Sequence, residues 1–395
     1  MKILFLDQSS KLGGAELSLS DVAKPYRNDC LVGIFADGPF REFLEKAQIP
    51  VQVLTNQPIQ ISRDSHFIQS ISRLGSLIPL IARVTKIARD YDIIYANTQK
   101  ALVVGALASF LSRRPLVYHL RDILSTDHFS RTNCWIAVTL ANRFASLVIA
   151  NSKATQSAFI EAGGRPEITT VVYNGFDPEN YQSQPSSLSH LKQQLGIHNQ
   201  YVVGHFSRLS PWKGQHILIE ALTHCPEDVT TILVGDPLFG EEEYAEQLHQ
   251  QVADLGLENR VQFLGFRSDI PSLMACCDLI AHTSISPEPF GRVIIEAMFC
   301  NRPVVAAAAG GVVELVESGR TGWLVKPGDV KELADVITLC RRNPKLAIET
   351  ASQAQQHLQM SGRFHLSKTN QQIAHLLRQL MKETPYTLDP SSERS

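Results

Sequence analysis

Short runs of aliphatic and β-branched residues recur along this chain without polar–apolar alternation, each separated from the next by a longer stretch with helical spacing. In the first half the runs are residues 3–6, 30–35, 51–54, 93–96, 116–119, 147–150 and 170–173. A strand lacking period-two alternation is apolar on both faces and must be covered on both. Strands of this kind joined by helices make a parallel sheet between two helical layers. The intervening pattern is clearest over 73–89, where Leu77, Ile78, Ile81, Val84, Ile87 and Ala88 fall on one helix face. A polar, Pro- and Ser-bearing stretch at 177–200 interrupts the pattern and reads as a linker. The alternation then resumes at 201–207, 231–235, 260–264, 279–282, 304–308 and 323–325, with helical spacing over 215–223 and 244–255. The chain therefore reads as two α/β units in series. Ligands of such sheets sit at the carboxyl ends of the strands, and two such units are expected to face each other across a binding cleft.

Composition narrows the class. The 395 residues suit two domains, and 44% hydrophobic with 19% charged residues describe a folded, soluble protein. A net charge of −2 speaks against a nucleic-acid partner. The seven cysteines are odd in number and show no CxxC spacing, so free thiols are expected, with Cys276 and Cys277 as core packing. The first apolar run is broken by Asp7 and reads as a buried strand, not a signal segment. The most membrane-like stretch, 135–150, is interrupted by Asn142 and Arg143, so no transmembrane helix and a cytoplasmic location are expected. The polar tail 385–395 is expected to be disordered. GxGxxG, GxxxxGK[ST], GxSxG, HExxH and the kinase signatures are all absent, as are diagnostic metal-ligand spacings.

Four strand ends carry charge or glycine. After the run at 279–282 comes EPFGRVIIE, residues 288–296. A helix beginning at Phe290, just after Pro289, would present free N–H groups of Phe290, Gly291 and Arg292 to an anion. Glu288 and Glu296 would stand on the order of 12 Å apart at helical rise. After the run at 201–207 comes Arg208, with Lys213 five residues on, two cations on one loop that suit a diphosphate. His119 ends a first-half strand, and Gly13, Gly14 and Glu16 follow the first strand. Each feature by itself also fits a plain reading: carboxylates flanking a helix start, solvated loop cations, a structural histidine, a tight turn.

Taken together, EPFGRVIIE and the Arg208–Lys213–Gly214 spacing resemble the donor-binding segments of retaining glycosyltransferases of family 4, which have the GT-B fold. Weaker matches, at Asn174-Gly175-Phe176-Asp177, Gly265-Phe266-Arg267, Gly310-Gly311 and Gly322–Val325, extend the resemblance over nearly the whole chain. The resemblance implies two Rossmann-like domains. Residues 1–185 would be the acceptor-binding domain, with a helix at 363–384 packing back on it, and 200–362 the donor domain. It implies that Glu296 binds ribose, that Glu288 and His119 lie at the transferred sugar, and that Arg208 and Lys213 hold the diphosphate. Arg267 would lie near the base, and Gly14 with Phe290, Gly291 and Arg292 would offer backbone donors. Gly13, Gly14 and Glu16 would form the acceptor-side loop. The family more often has an aliphatic residue where Arg292 stands, a departure that bears on sugar identity.

The function so implied is transfer of a hexose-type sugar, with retention, from a nucleoside-diphosphate sugar to a hydroxyl of a glycan, lipid-linked sugar or small molecule, with no metal or other cofactor. A nucleotide-sugar epimerase, a phosphorylase, an inactive sugar-binding scaffold and a dehydrogenase are the other readings, the last disfavoured by its missing fingerprint. Arg63, Arg73, Arg83, Lys86, Arg89, Arg113 and Arg114 make the first half locally basic. They fit either a peripheral membrane contact or scattered solvated charges.

Overall fold

The structure, a computed structural model, describes residues 1–55, 67–182, 185–197, 199–238 and 240–383. The polar tail and Arg63 lie outside the described residues. The chain divides into a first unit, Met1–Gly175 with the stretch from Leu366 onward, and a second unit, Phe176–His365.

The first unit holds seven strands: β1 (Ile3–Asp7), β2 (Cys30–Ile34), β3 (Val51–Val53), β4 (Ile93–Ala96), β5 (Leu116–Leu120), β6 (Ala145–Ala150) and β7 (Thr169–Val171). They pair in the order β3-β2-β1-β4-β5-β6-β7, all parallel. Its helices are α1 (Gly14–Ala23), α2 (Pro39–Lys46), α3 (Phe67–Ala88), α4 (Gln99–Ser112), α5 (Arg131–Phe144) and α6 (Lys153–Glu161). Both faces of the sheet are covered, which explains the unalternating strands. Leu4 and Leu6 of β1 pack with Val84, Leu102, Val138 and Phe159 of the α3–α6 layer. Ile3 and Phe5 pack on the other side with Leu19, Val22, Phe40 and Leu44.

The second unit begins with α7 (Pro185–Gln194), which lies within the stretch read as a linker and packs against a later helix. Its polar composition hid the helix; the Cys276 thiol donates to the Leu188 carbonyl there. Six parallel strands follow: β8 (Tyr201–Phe206), β9 (Val229–Val234), β10 (Val261–Gly265), β11 (Leu279–His282), β12 (Val304–Ala307) and β13 (Trp323–Val325). Their order is β10-β9-β8-β11-β12-β13. The helices are α8 (Gln215–Leu222), α9 (Glu242–Asp254), α10 (Ile270–Cys276), α11 (Arg292–Phe299), α12 (Val330–Arg342) and α13 (Pro344–Ser361). Helix α14 (Leu366–Glu383) belongs to the first unit: Ile373, Leu377 and Leu380 join the β1 core, and Thr369 donates to the Tyr173 carbonyl at 3.1 Å.

In each sheet the strand order reverses between two neighbours, β1 and β4 in the first and β8 and β11 in the second. Loops leaving such a pair diverge to opposite faces of the sheet and open a crevice at the strand ends. All seven cysteines are buried and unbridged.

Candidate functional site

In the second unit the loop from β8 to α8 is pinned to the tip of β11. Gly214 adopts φ +70°, and a Cβ there would fall 2.1 Å from the Thr283 carbonyl oxygen. The Thr283 hydroxyl lies 3.0 Å from the Lys213 carbonyl and 2.8 Å from that of Gly214. Glycine is required here both for the left-handed backbone and for the close approach. The result is that Lys213 Nζ donates to Glu288 Oε2 at 2.6 Å. The same oxygen accepts from the Ser284 hydroxyl at 3.1 Å and lies 3.2 Å from His282 Nε2. The Lys213 ammonium also sits 3.9 Å from the Trp212 ring centroid.

Burial opposes the Glu288 charge, but the Lys213 ammonium and the hydrogen bonds from His282 and Lys213 outweigh it and hold the carboxyl well below its usual range. Burial pulls the Lys213 ammonium down, Glu288 pulls it back up, and Arg208 lowers it further. The pair is thus ionised and held by mutual compensation. Arg208 lies with its Nε 4.0 Å from Glu241 Oε2 and its guanidinium 5.8 Å from the Trp212 ring. The Ser210 hydroxyl fixes Glu241 at 2.6 Å.

Helix α11 starts at Arg292, not at Phe290 as the sequence suggested. Glu288 bridges to Gly310, with the Gly311 N–H donating to the Glu288 carbonyl at 2.7 Å, and this keeps the Glu288 end of the segment extended. Gly291 caps the helix at φ +93°. The helical-rise estimate for the distance from Glu288 to Glu296 therefore does not apply across this segment. The two carboxylates enter different groupings: Glu288 joins Lys213, while Glu296 pairs with Arg292 Nε at 3.3 Å. The Arg292 guanidinium stacks 4.6 Å above the Phe176 ring, which itself stacks on Phe290 at 6.2 Å. Arg267 is doubly bonded to Asp269 at 2.8 and 2.7 Å on the loop after β10.

The first unit has its own constellation at the strand tips. Asp7 ends β1 and accepts from the Ser9 N–H at 2.8 Å and from Asn97 Nδ2 at 2.7 Å. Arg121 bridges onward, donating from Nε to Asn97 Oδ1 at 2.9 Å and from Nη1 to Asn174 Oδ1 at 2.6 Å. Burial raises Asp7 to about 6 against the pull of the Ser9 N–H, Asn97 and Arg121. Gly13 is the extended N-cap of α1, which begins at Gly14; a Cβ on Gly13 would come within 2.8 Å of Glu16 Oε2. Glu16 folds back over this turn, and burial, reinforced by the Asp7 charge, raises it to about 8.

His119 is 2% exposed, and its Nδ1 is 2.5 Å from the Tyr95 hydroxyl. Burial, aided by Arg121, holds the imidazole well below its usual range, so it is neutral. Burial also raises the phenol of Tyr95, which stays protonated and is suited to donate to Nδ1. The imidazole proton is then on Nε2, which has no hydrogen-bond partner among the described residues. Among those residues no three His, Cys, Asp or Glu side chains group as a metal site, and no helix is long and apolar enough to cross a membrane.

The structure thus joins Lys213 to Glu288 with Arg208 nearby, joins Arg292 to Glu296, pairs Arg267 with Asp269, and places His119, Gly13, Gly14 and Glu16 in the first unit. Asp7, Asn97, Glu241, His282 and Ser284 were missed. All but Glu241, which caps the start of α9, stand at or just beyond strand ends, so the strand-end rule applied to every polar residue, rather than to motif-like runs, would have found those four.

Comparison with known proteins follows this layout. The family described as "Glycosyl transferases group 1" matches residues 189–357, and "Glycosyltransferase Family 4" matches residues 12–180. Crystal structures of the Anabaena protein HepE, one of them in complex with UDP-glucose, share 62% identity with this chain. That complex aligns with a TM-score of 0.90 over 96% of this chain and 100% of that one. A D-inositol 3-phosphate glycosyltransferase of Corynebacterium aurimucosum is 28% identical over 63% of each chain. Spore coat protein SA of Bacillus subtilis is 32% identical over 40% of this chain and 45% of its own length. The aligned stretches thus span about half to three fifths of these two curated relatives.

Proposed function

Because this chain belongs to the group 1 glycosyl transferases of family 4, we propose that it transfers a hexose from a uridine-diphosphate sugar, UDP-glucose foremost, to a hydroxyl of a glycan, lipid-linked or small-molecule acceptor, with retention. The observation that carries this reading is the ionised Lys213–Glu288 pair at the β8/β11 reversal, with Arg208 beside it. The choice of uridine and glucose rests on likeness to HepE, a UDP-glucose-binding relative.

A diphosphate gains charge as its bond to the anomeric carbon breaks. Two fixed cations at its position stabilise that charge without reorganisation, which lowers the barrier. Lys213 is held ready by Glu288, and when phosphate oxygens arrive it has a second anion to serve. Glu288, still held by His282 and Ser284, keeps its position and accepts hydrogen bonds from sugar hydroxyls. Glu296, fixed by Arg292, accepts from the ribose hydroxyls. Neutral His119 offers its Nε2 proton to a sugar hydroxyl. Since it resists protonation, it acts as a hydrogen-bond donor and not as a general acid. Retention then follows from attack on the face the diphosphate leaves. The cations and amide donors do what a metal does in other transferases, so the reading calls for none.

The test is an NMR time course with UDP-glucose and a panel of hydroxyl acceptors. UDP release with an α-configured first product is expected. A β-configured first product sinks retention. If UDP neither binds nor is released with any acceptor, the transferase reading falls. Interconversion of the donor sugar without acceptor would instead make the protein an epimerase.

A further inference from the structure

We propose that the outer surface of α3, α4 and α5 docks on an anionic phospholipid bilayer. Helix α4 lies between α3 and α5, and its inner face belongs to the core. Water alone on its outer face would call for polar residues there. Instead Phe110 and Leu111 stand there, 66% and 55% exposed, beside half-buried Val103 and Leu107, the latter also touching the core. The Phe110 ring meets that of Phe144 of α5 edge-on at 6.2 Å. On the flanking helices Ile78 and Trp135 are each 65% exposed. Single exposed apolar residues are ordinary, but large exposed apolar side chains on each of three adjacent helices of one layer mark an interaction surface.

The charge pattern identifies the partner. No Asp or Glu occurs in any of the three helices. The nearest acids along the chain are Asp64, ahead of α3, Asp90 and Asp92, just beyond it, and Asp127, ahead of α5. The exposed charges on the three helices themselves and most of those at their ends are cationic, among them Lys86, Arg89, Arg113, Arg131 and Arg143, against exposed Asp90 and Asp127 at the ends, in a chain whose net charge is −2. A second copy meeting this face through a two-fold axis would bring the same cations against them, which disfavours self-association. A bilayer with anionic headgroups satisfies both features: acyl chains take the apolar side chains, Trp135 sits at interfacial depth, and the cations meet the phosphates. The inference stands apart from the transferase reading.

The test uses the full chain with vesicles of phosphatidylcholine alone and of phosphatidylcholine with phosphatidylglycerol, at low and high salt. Co-sedimentation with the anionic vesicles, falling with salt, and a blue shift of tryptophan emission are expected. The double variant Phe110→Ser/Trp135→Ser should weaken binding about tenfold or more. Arg113→Glu/Arg143→Glu should weaken it on the order of fivefold or more per cation. These side chains are exposed, so melting temperature and UDP binding measured on the same preparations should not change. Absence of binding to anionic vesicles, equal binding by the variants, or a dimer that Phe110→Ser/Trp135→Ser dissociates would each overturn the proposal. UDP binding in the same samples separates such a failure from failure of the transferase reading.

Discussion

At the residue scale the second-unit site is a set of mutually compensating charges, and this shapes what substitution does. Removing the Lys213 ammonium leaves Glu288 buried with an uncompensated charge. Lys213→Ala should therefore cost about 3 kcal/mol of stability as well as turnover. In Lys213→Ala/Glu288→Ala much of that stability should return while activity does not. Chemical denaturation of the two variants beside their rates decides it; equal stability of the single variant and wild type would mean the pair is not the buried unit described. Arg292 pairs with Glu296 and, on the proposed ribose role of that carboxylate, would act one step removed from the nucleotide. Arg292→Ala should weaken binding of UDP several-fold but leave binding of an analogue lacking both ribose hydroxyls nearly unchanged; an equal loss for both would place Arg292 on another part of the nucleotide. In the first unit, Glu16 titrates near 4.5 when unfolded and near 8 when folded. The folded state holds the extra proton between those values, so stability is full below about 4.5 and falls as pH rises through 8. The slope reaches at most about 1.4 kcal/mol per pH unit. The melting temperature should drop from pH 6 to 8.5, and Glu16→Gln should flatten the profile and exceed wild type at the alkaline end. A rising profile in wild type removes this account of Glu16.

At the element scale the strand-tip loops are positioned by close backbone approach, secured by the Thr283 hydroxyl. The β8–α8 loop meets β11 where Gly214 abuts Thr283, and 288–290 lies against Gly310, whose Cβ would come within 2.2 Å of the Glu288 carbonyl oxygen. Gly214→Ala should push Lys213 from Glu288 and reduce kcat at least tenfold, more than its effect on melting temperature would suggest; near-native turnover would show that the loop tolerates displacement. Elements with strong local periodicity were legible in the sequence: each of the thirteen strands was anticipated to within two residues at either end. Helix α7 and the start of α11 were not. Helix α7 carries only two leucines, Leu188 and Leu191, so its apolar period is faint. The start of α11 is set by a bridge to Gly310, a contact the local sequence cannot reveal.

At the scale of the molecule, each sheet begins in its middle, grows to one edge, and returns to build the other. The reversal puts residues distant in sequence at one crevice: Asp7 meets Asn97 ninety positions away, and Lys213 meets Glu288 seventy-five away. Ligand binding at such a crevice should stabilise the fold by mass action, about 2.7 kcal/mol at a hundredfold excess over Kd. A thermal-shift comparison of UDP, GDP and ADP should favour UDP. A larger shift with either other nucleotide would redirect the donor assignment.

Periodicity and glycine placement are local properties of a chain, and they were enough to determine two parallel α/β units and the segments bearing Arg208, Lys213, Glu288, Glu296 and His119. Which of those groups neutralises which was decided only by the tertiary structure. Strand order chooses neighbours across tens of residues, and burial and those neighbours together set the charge each one carries. Hence Glu288 is a paired anion, Glu16 a protonated acid and His119 a neutral donor, distinctions that no reading of residue types along the chain contains.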